Sequence, residues 1–463
     1  MNSTFPGLVD SHAHLDGKQF TNDLDEVIER AHQAGVNTIL TIGCDLESSR
    51  ASVDLALRYS SIYASVGVHP HDALTLDRDL LEELERMAES VDKVVAIGEI
   101  GLDFYRNRSP RDIQRVAFRK QIQLARKLGK PVIVHDRDAH EEVLQILREE
   151  NAAEVGGVLH CFSGDLDMAK ACVDMGFLIS FAGPLTYPKN DTLRQIAVEL
   201  PIDVMLVETD CPYLAPQGWR GKRNEPAYVR ATAEKLAEVK GLSLEDVART
   251  TSLNAFRLFG IGQVDQGTRI AYVIRNSLYL NITNRCTNRC TFCAKFTDFT
   301  VKGHQLCLEQ EPTAAEVIAA IGDPTHYDEV VFCGYGESLI RLDLVKEVAS
   351  WLKQRGMTVR INTDGQANLV HKRNILPELE GLVDAISVSL NAPDAHIYQE
   401  ICQSAYSEAG YAALKEFLVE AKRWIPSVTA TAVTLPGIDI EACREVAEQL
   451  GIEFRERVFN DVG

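Results

Sequence analysis

Nowhere in the 463-residue chain do about eighteen apolar residues run together, so no membrane span and no membrane partner are expected. The opening stretch, MNSTFPGLVD, has neither the basic start nor the apolar run of a secretory leader, and a cytoplasmic location is expected. Positive charge is scarce: 48 Lys and Arg stand against 67 Asp and Glu, a net charge of −19. Such a surface repels a phosphate backbone and excludes broad, salt-dependent coating of duplex DNA. It leaves room for a phosphate-bearing substrate where bound divalent cations supply the positive charge. The 11 cysteines form no framework of spaced pairs, and they gather at only one place. That excludes a disulfide-stapled secreted domain and fits a reducing compartment. The remaining composition, 45% apolar and 25% charged, is that of a globular protein. The chain is longer than one hydrophobic core supports, so two domains are expected.

The first half alternates strand and helix patterns. β-rich runs occur at LVDSHAH, VNTILTIG, IYASVGVH, KVVAIGEIGLDF, PVIVHD, GGVLHCF, FLISFAG and DVMLVETD, with amphipathic stretches such as DRDLLEELERMAES between them. Eight strand–helix units in roughly 250 residues match a (β/α)8 barrel of TIM type. Several runs are apolar almost throughout, as parallel strands covered on both faces should be. After the helical SLEDVARTTSLNAFRLFG, the stretch IGQVDQGTRIAYVIR has no clear period and reads as a linker region. Alternation resumes at SLYLNIT, EVVFCGYGE, TVRINTDG, DAISVSLN, SVTATAVTLPG and IEFRERVFND, six units that fit an open (β/α)6 barrel. The expected division is residues 1–262, a linker at 263–274, and residues 275–463.

In an eight-stranded α/β barrel the carboxyl ends of the strands converge on one mouth. His12 and His14 follow the first strand, two residues apart and therefore on one side of an extended backbone. Glu99 follows the fourth strand, His135 the fifth, His160 the sixth and Asp210 the eighth. Any one of these histidines alone reads as a packed or solvated residue; six ligands registered on strand ends do not. Imidazole with carboxylate suits Zn²⁺, Mn²⁺ or Mg²⁺, the last being the poorest match to histidine. This ligand set is large enough for two metals sharing a carboxylate, which can activate a water and stabilise the leaving oxygen of a phosphoester.

The segments DSHAHLD, VGVHPHDA, GEIGLDFY, VIVHDRDA, HCFSG and VETDCPYLAP closely resemble the TatD family of metal-dependent nucleases, within the amidohydrolase-like barrels. The resemblance implies that His12, His14, Glu99, His135, His160 and Asp210 bind two divalent metals. It implies further that Glu99 bridges them and that Asp210 accepts the proton of the attacking water. The implied substrate is nucleic acid or nucleotide, with DNA cut exonuclease-fashion on single strands; some family members cleave other esters. His69 and His71 lie at the mouth by strand order; His69 is expected to touch substrate and His71 to cap or face solvent. Glu208 shares a strand face with Asp210 and is expected to orient a ligand on the substrate side. Arg220, Lys222 and Arg223 in QGWRGKRNEP offer donors for phosphate, and Arg106 and Arg108 in YRNRSPRD give a less specific signal of the same kind.

In the second half, NITNRCTNRCTFCAKF places Cys286, Cys290 and Cys293 directly after a strand, with no fourth cysteine. Three thiolates can hold three irons of a 4Fe–4S cluster and leave the fourth open to a small molecule, whereas an electron-transfer cluster usually has four. A zinc site that borrows Cys307 is the alternative on spacing alone. The C-x3-C-x2-C spacing, with Phe292 before the last cysteine, closely resembles the radical S-adenosylmethionine superfamily. That implies a 4Fe–4S cluster, S-adenosylmethionine on its open iron, a 5′-deoxyadenosyl radical, and a reductant such as flavodoxin or ferredoxin. Gly334, Gly336 and Glu337 in CGYGESLI stand as the superfamily's glycine-rich motif, with Glu337 toward the cofactor's amino group; Ser338 replaces a frequent proline. Asn362 and Asp364 in NTDG resemble ribose-contacting positions, and Ser387, Ser389 and Asn391 in SVSLN offer further cofactor contacts.

Cys44, Cys161, Cys172, Cys211 and Cys443 read as small buried hydrophobes and Cys333 as strand core. Cys402, in YQEICQS, reads as core ahead of a residue facing the radical site. The expected protein resembles TatD-associated radical S-adenosylmethionine proteins: a divalent-metal phosphodiester hydrolase fused to a radical enzyme of unidentified substrate. Two other readings stand beside it. The hydrolase would act on an aminoacyl ester or cyclic amide with the same ligands, or the second half would dock a partner without catalysis.

Overall fold

The computed structural model describes residues 6–262, 267–296 and 300–459. The chain divides into two compact units, with the division falling between Gly262 and Gly267 in sequence. In the first, β1 (Leu8–Ala13), β2 (Val36–Ile42), β3 (Ile62–Val66), β4 (Val94–Asp103), β5 (Val132–Arg137), β6 (Gly157–Leu159), β7 (Phe177–Phe181) and β8 (Met205–Val207) pair in that order. Each pairing is parallel. Closure occurs at the carboxyl ends, where Ala13 bridges Cys211, the His14 amide donates to Cys211 O and the Asp210 amide donates to His12 O.

Helices cover the strands because their apolar residues recur on one face. In helix Arg78–Ser90, Leu80, Leu84 and Ala88 are buried at four-residue spacing, and the preceding Asp77 caps the Leu80 amide at 2.9 Å. Inside the ring, Val9, Leu40, Ala96, Ile133, Val158 and Leu206 form one cluster with Ala255 and Phe259 of helix Leu244–Phe259, which Ser252 and Asn254 tie to Gly7 O and Met205 O at the amino ends of the strands. The polar residues at the other end of the strands are thereby carried on a rigid, filled cylinder. Gly101 sets the approach of β4 to β5. Its φ is +143°, and a Cβ there would lie 2.0 Å from His135 O.

The second unit has strands β9 (Ala271–Ile274), β10 (Ser277–Leu280), a short hairpin of β11 (Thr300–Val301) and β12 (His304–Gln305), then β13 (Glu329–Phe332), β14 (Val359–Thr363), β15 (Ala385–Ser389), β16 (Ser427–Thr434) and β17 (Glu453–Val458). The main sheet runs β17-β16-β15-β14-β13-β10-β9, with every pairing parallel except that of β9 with β10. The six parallel strands are those expected. Part of the expected linker is not linker: 271–274 forms the edge strand, while 263–266 lie outside the described residues. Its pattern was hard to read because Tyr272 and Ile274 pack on Tyr279, Val331 and Tyr335, whereas the alternate residues remain half-buried. One face of the sheet, with Leu278, Val330, Ile361 and Val388, packs on the helices. The opposite face is more polar and carries Arg360, Asn362, Ser387 and Ser389.

Candidate functional site

At the mouth of the first barrel Glu99 occupies the centre of a ring of imidazoles. Its Oε1 lies 2.7 Å from His135 Nδ1 and 2.8 Å from His160 Nε2; its Oε2 lies 3.5 Å from His12 Nε2 and 3.9 Å from His14 Nε2. Asp210 Oδ1 closes the second group, 3.3 Å from His14 Nε2 and 3.9 Å from His12 Nε2. The two carboxylate oxygens of Glu99 thus face two separate sets of donors. Burial alone would push this carboxyl up; His160, His69, His12 and His135 overcome it and hold Glu99 well below the usual range. The donor set fits divalent metal. Imidazole nitrogens of His12 and His14 converge to 3.3 Å and those of His135 and His160 to 3.2 Å. His12, His14 and Glu99 form one group able to hold an ion, and His69, Glu99 and His135 another.

Local structure brings these ligands together. Buried Asp10 accepts the Thr209 amide at 2.9 Å and the Thr209 hydroxyl at 2.6 Å, which ties the end of β8 to β1 and sets Asp210 beside His12. Burial pushes the Asp10 carboxyl up to about 8.

In the second unit the cysteine loop follows β10. Cys286, Cys290 and Cys293 are each half-buried, and the loop is pinned by Asn288, whose amide group donates to Tyr398 Oη at 2.9 Å and accepts from Gln366 at 2.8 Å. The three sulfurs do not all lie within 4.8 Å of one another, and no metal-ligand group among the described residues contains a cysteine. A tetrahedral zinc needs its sulfurs about 3.8 Å apart, from Zn–S bonds of about 2.3 Å. As they stand, the three sulfurs do not form a tetrahedral zinc site among themselves. Gly334 and Gly336 belong where they are for a steric reason. A Cβ on Gly334 would meet Asn281 Oδ1 at 2.2 Å, and one on Gly336 would meet Thr283 O at 2.3 Å and Arg285 O at 2.4 Å. The glycine turn therefore packs directly under the cysteine loop.

A family model for TatD related DNase matches residues 9–260. The chain belongs to the TatD family. A radical SAM superfamily model matches residues 280–450, so the TatD-type metallohydrolase domain is fused to a radical S-adenosylmethionine domain. The uncharacterized metal-dependent hydrolase YabD of Bacillus subtilis is 44% identical over 254 residues, covering 55% of this chain and 99% of that protein. The 3′-5′ ssDNA/RNA exonuclease TatD of Shigella flexneri is 38% identical over 259 residues, covering 55% of this chain and 99% of that protein. Among solved structures, the TatD homolog YJJV of Escherichia coli superposes with a TM-score of 0.54 at 31% identity, covering 56% of this chain and all of that one.

Further residues lie around the TatD-domain site. Glu208 is fully buried, 3.3 Å from His160 Nδ1, and accepts the Cys161 amide at 2.7 Å; its other oxygen has no hydrogen-bond partner, and with His12 and His160 it forms a third group able to hold an ion. His71 is half-buried, and its Nε2 lies 2.7 Å from Asp103 Oδ2. Asp103, overlooked in the sequence, also stands 3.5 Å from His135 Nε2; it shares a strand face with Glu99 and Gly101, and that parity was the available signal. Cys44 is not a bland core residue, since its sulfur lies 3.6 Å from Glu99 Oε2 and 3.7 Å from His14 Nδ1. His69 faces Glu99 Oε1 at 3.5 Å. Arg223 is engaged by Asp23 at 2.6 Å, whereas Arg220 lies over the Tyr187 ring and Lys222 is exposed.

In the radical S-adenosylmethionine domain Glu337 is almost fully buried and accepts Leu339 N, Thr363 Oγ1 and Asp364 N at 3.0, 2.9 and 2.7 Å. Its carboxyl is held well above the usual range by burial and by Asp364. Asp364 accepts from Thr287 and sits 3.9 Å from Cys286 Sγ, at the cysteine loop itself. Asn362 Oδ1 accepts from the Arg360 guanidinium at 2.9 Å. Asn391 adopts a left-handed backbone, φ 56°, and its buried Oδ1 has no hydrogen-bond partner. Cys402 is fully buried, its sulfur accepts from Asn391 Nδ2 at 3.7 Å, and it is the neighbour that raises the Cys290 thiol most.

Proposed function

We propose that the TatD domain is a two-metal phosphodiesterase that trims single-stranded DNA from an end, and that the second domain is a radical S-adenosylmethionine enzyme. The first reading rests on Glu99, with one oxygen toward His135 and His160 and the other toward His12 and His14. Two bound divalent ions, Mn²⁺, Mg²⁺ or Zn²⁺, would supply Lewis acidity and a lowered pKa for water. His12, His14 and Asp210 would hold one, His135 and His160 the other, and Glu99 both. Asp210, 13% exposed against 3% for Glu99, is the carboxylate placed to take the proton of the attacking water. Next to the mouth, exposed Tyr105 lies under Arg137 at 4.5 Å and beside Arg106 at 5.5 Å, a stacking face for an unpaired base. A few such contacts at a strand end agree with a chain of net charge −19 better than extended backbone binding does.

The experiment is cleavage of a labelled single-stranded oligonucleotide by the full chain with Mn²⁺ or Mg²⁺. His135→Ala and Asp210→Ala should each abolish it with the circular dichroism spectrum unchanged. Cleavage surviving in both variants would remove this site from the reaction. Turnover of an aminoacyl ester with none of the oligonucleotide would favour the ester reading.

For the second domain, a 4Fe–4S cluster with S-adenosylmethionine would supply reductive formation of a 5′-deoxyadenosyl radical. Cys286, Cys290 and Cys293 would hold the cluster, with Asp364, Ser387, Ser389 and Asn391 toward the cofactor. An electron from a flavodoxin or ferredoxin would drive the cleavage. Anaerobic reconstitution and assay for 5′-deoxyadenosine tests this; iron binding without that product would favour a docking module.

A further inference from the structure

We propose that the inner face of the second sheet holds an anionic small-molecule substrate, gripped by Arg455 and Arg457 through a phosphate or carboxylate group. Strand register places both arginines there. Asn362 pairs with Ser387, Ser387 with Thr429, and Ser389 with Thr431, which in turn pairs with Arg455; Val433 pairs with Arg457. Parallel partners share a face, so the β17 arginines stand on the side of Arg360, Asn362 and the two serines, away from the helices. Arg457 is next to the last residue of β17, at the carboxyl end of the sheet, the end from which the cysteine loop leaves β10. In open α/β sheets ligands bind at that end.

Three arginines share this face: Arg360 is buried, Arg457 half-buried and Arg455 exposed. Arg360 makes a bidentate pair with Glu329 at 2.7 and 2.9 Å and a third bond to Asn362. Among the described residues, no hydrogen bond or ion pair satisfies the Arg455 or Arg457 guanidinium, and buried Arg457 Nε is without a partner. The other acid on this face of β17, Glu453, is exposed at the opposite end of the strand, about 13 Å from Arg457 at about 3.3 Å per residue. At Arg455, burial first and then Arg360 and Arg457 lower the pKa, outweighing Tyr279 and Glu329, which raise it. Glu329 is the acid on this face that reaches them, and it is already bidentate with Arg360, so three guanidinium groups against one carboxylate, in a chain of net charge −19, leave the positive charge an oxyanion site needs. The Thr431 hydroxyl, level with Arg455 in the register, adds a polar group beside them.

The inference rests on the second domain being a substrate-holding enzyme, and the two can fail separately. Calorimetric titration of inorganic phosphate and of acetate into the full chain tests it. It is done without divalent metal and in the His12→Ala/His14→Ala background, so that the first barrel contributes little. One or both anions should bind, identifying the phosphate or carboxylate source. Arg455→Gln/Arg457→Gln should weaken binding at least tenfold, and Arg455→Lys/Arg457→Lys should restore part of it, with melting temperatures reported for each. Binding of neither anion, equal binding by the lysine and glutamine pairs and the parent, or competition by S-adenosylmethionine would overturn the proposal. Formation of 5′-deoxyadenosine by the parent chain, measured on the same preparation, tests the radical reading independently.

Discussion

Glu208 and His160 are joined in the order carboxylate, imidazole, metal position: Glu208 Oε1 lies 3.3 Å from Nδ1, while the opposite ring nitrogen, Nε2, lies 2.8 Å from Glu99. Burial would lower the His160 pKa, but Glu99 and Glu208 overcome it and raise it well above the usual value. A carboxylate on the remote nitrogen fixes the ring's tautomer and strengthens the near nitrogen as a ligand. Glu208→Gln preserves shape and removes the charge. Its metal affinity, read by calorimetry with Mn²⁺, should fall about 10–100-fold, with activity restored at high metal concentration. Unchanged metal affinity would reduce Glu208 to packing.

Cys402 is the neighbour that raises the thiol of the cluster-loop residue Cys290 most. If three thiolates hold the cluster and a small molecule completes it, Cys402→Ala should keep four irons per chain after anaerobic reconstitution. Cys290→Ala should lose them. Loss of iron in Cys402→Ala equal to that in Cys290→Ala would make Cys402 a ligand and close the position assigned to S-adenosylmethionine.

Cys172 carries a pH signature away from both sites. It is fully buried in helix Leu166–Asp174, and burial pushes its thiol up from 9.0 to about 12. The folded state therefore holds this proton more tightly than the unfolded chain. The associated stability is complete below about pH 9 and lost as pH rises toward 12. Cys172→Ala should flatten the fall in melting temperature above pH 9 relative to the parent chain. Parallel curves for the two proteins would remove the effect.

Much of the first site was legible because a barrel turns strand order into geometry. His12, His14, Glu99, His135, His160 and Asp210 stood out as polar residues ending apolar strands, and those strand ends meet. Asp103 was missed although it shares the face of Glu99, because it lies at the far end of β4, a strand of 10 residues. Cys44 was read as core because a cysteine following an apolar strand gives no sign of what lies opposite, and only tertiary closure puts Glu99 there. Glu208 was paired with Asp210 by parity, but Asp210 takes a left-handed backbone, φ 55°, and alternation ends before it. In the second unit the strand β9 was hidden because an edge strand packed on one side leaves only a faint alternation in sequence.

The account turns on Glu99 bridging two ions. Anomalous diffraction from crystals grown with Mn²⁺ measures this directly. Two peaks are expected about 3.5–4 Å apart, one beside Glu99 Oε2 among His12, His14 and Asp210, the other beside Oε1 with His135 and His160. A single peak, or a pair for which Glu99 is a ligand to neither or only one, would contradict it.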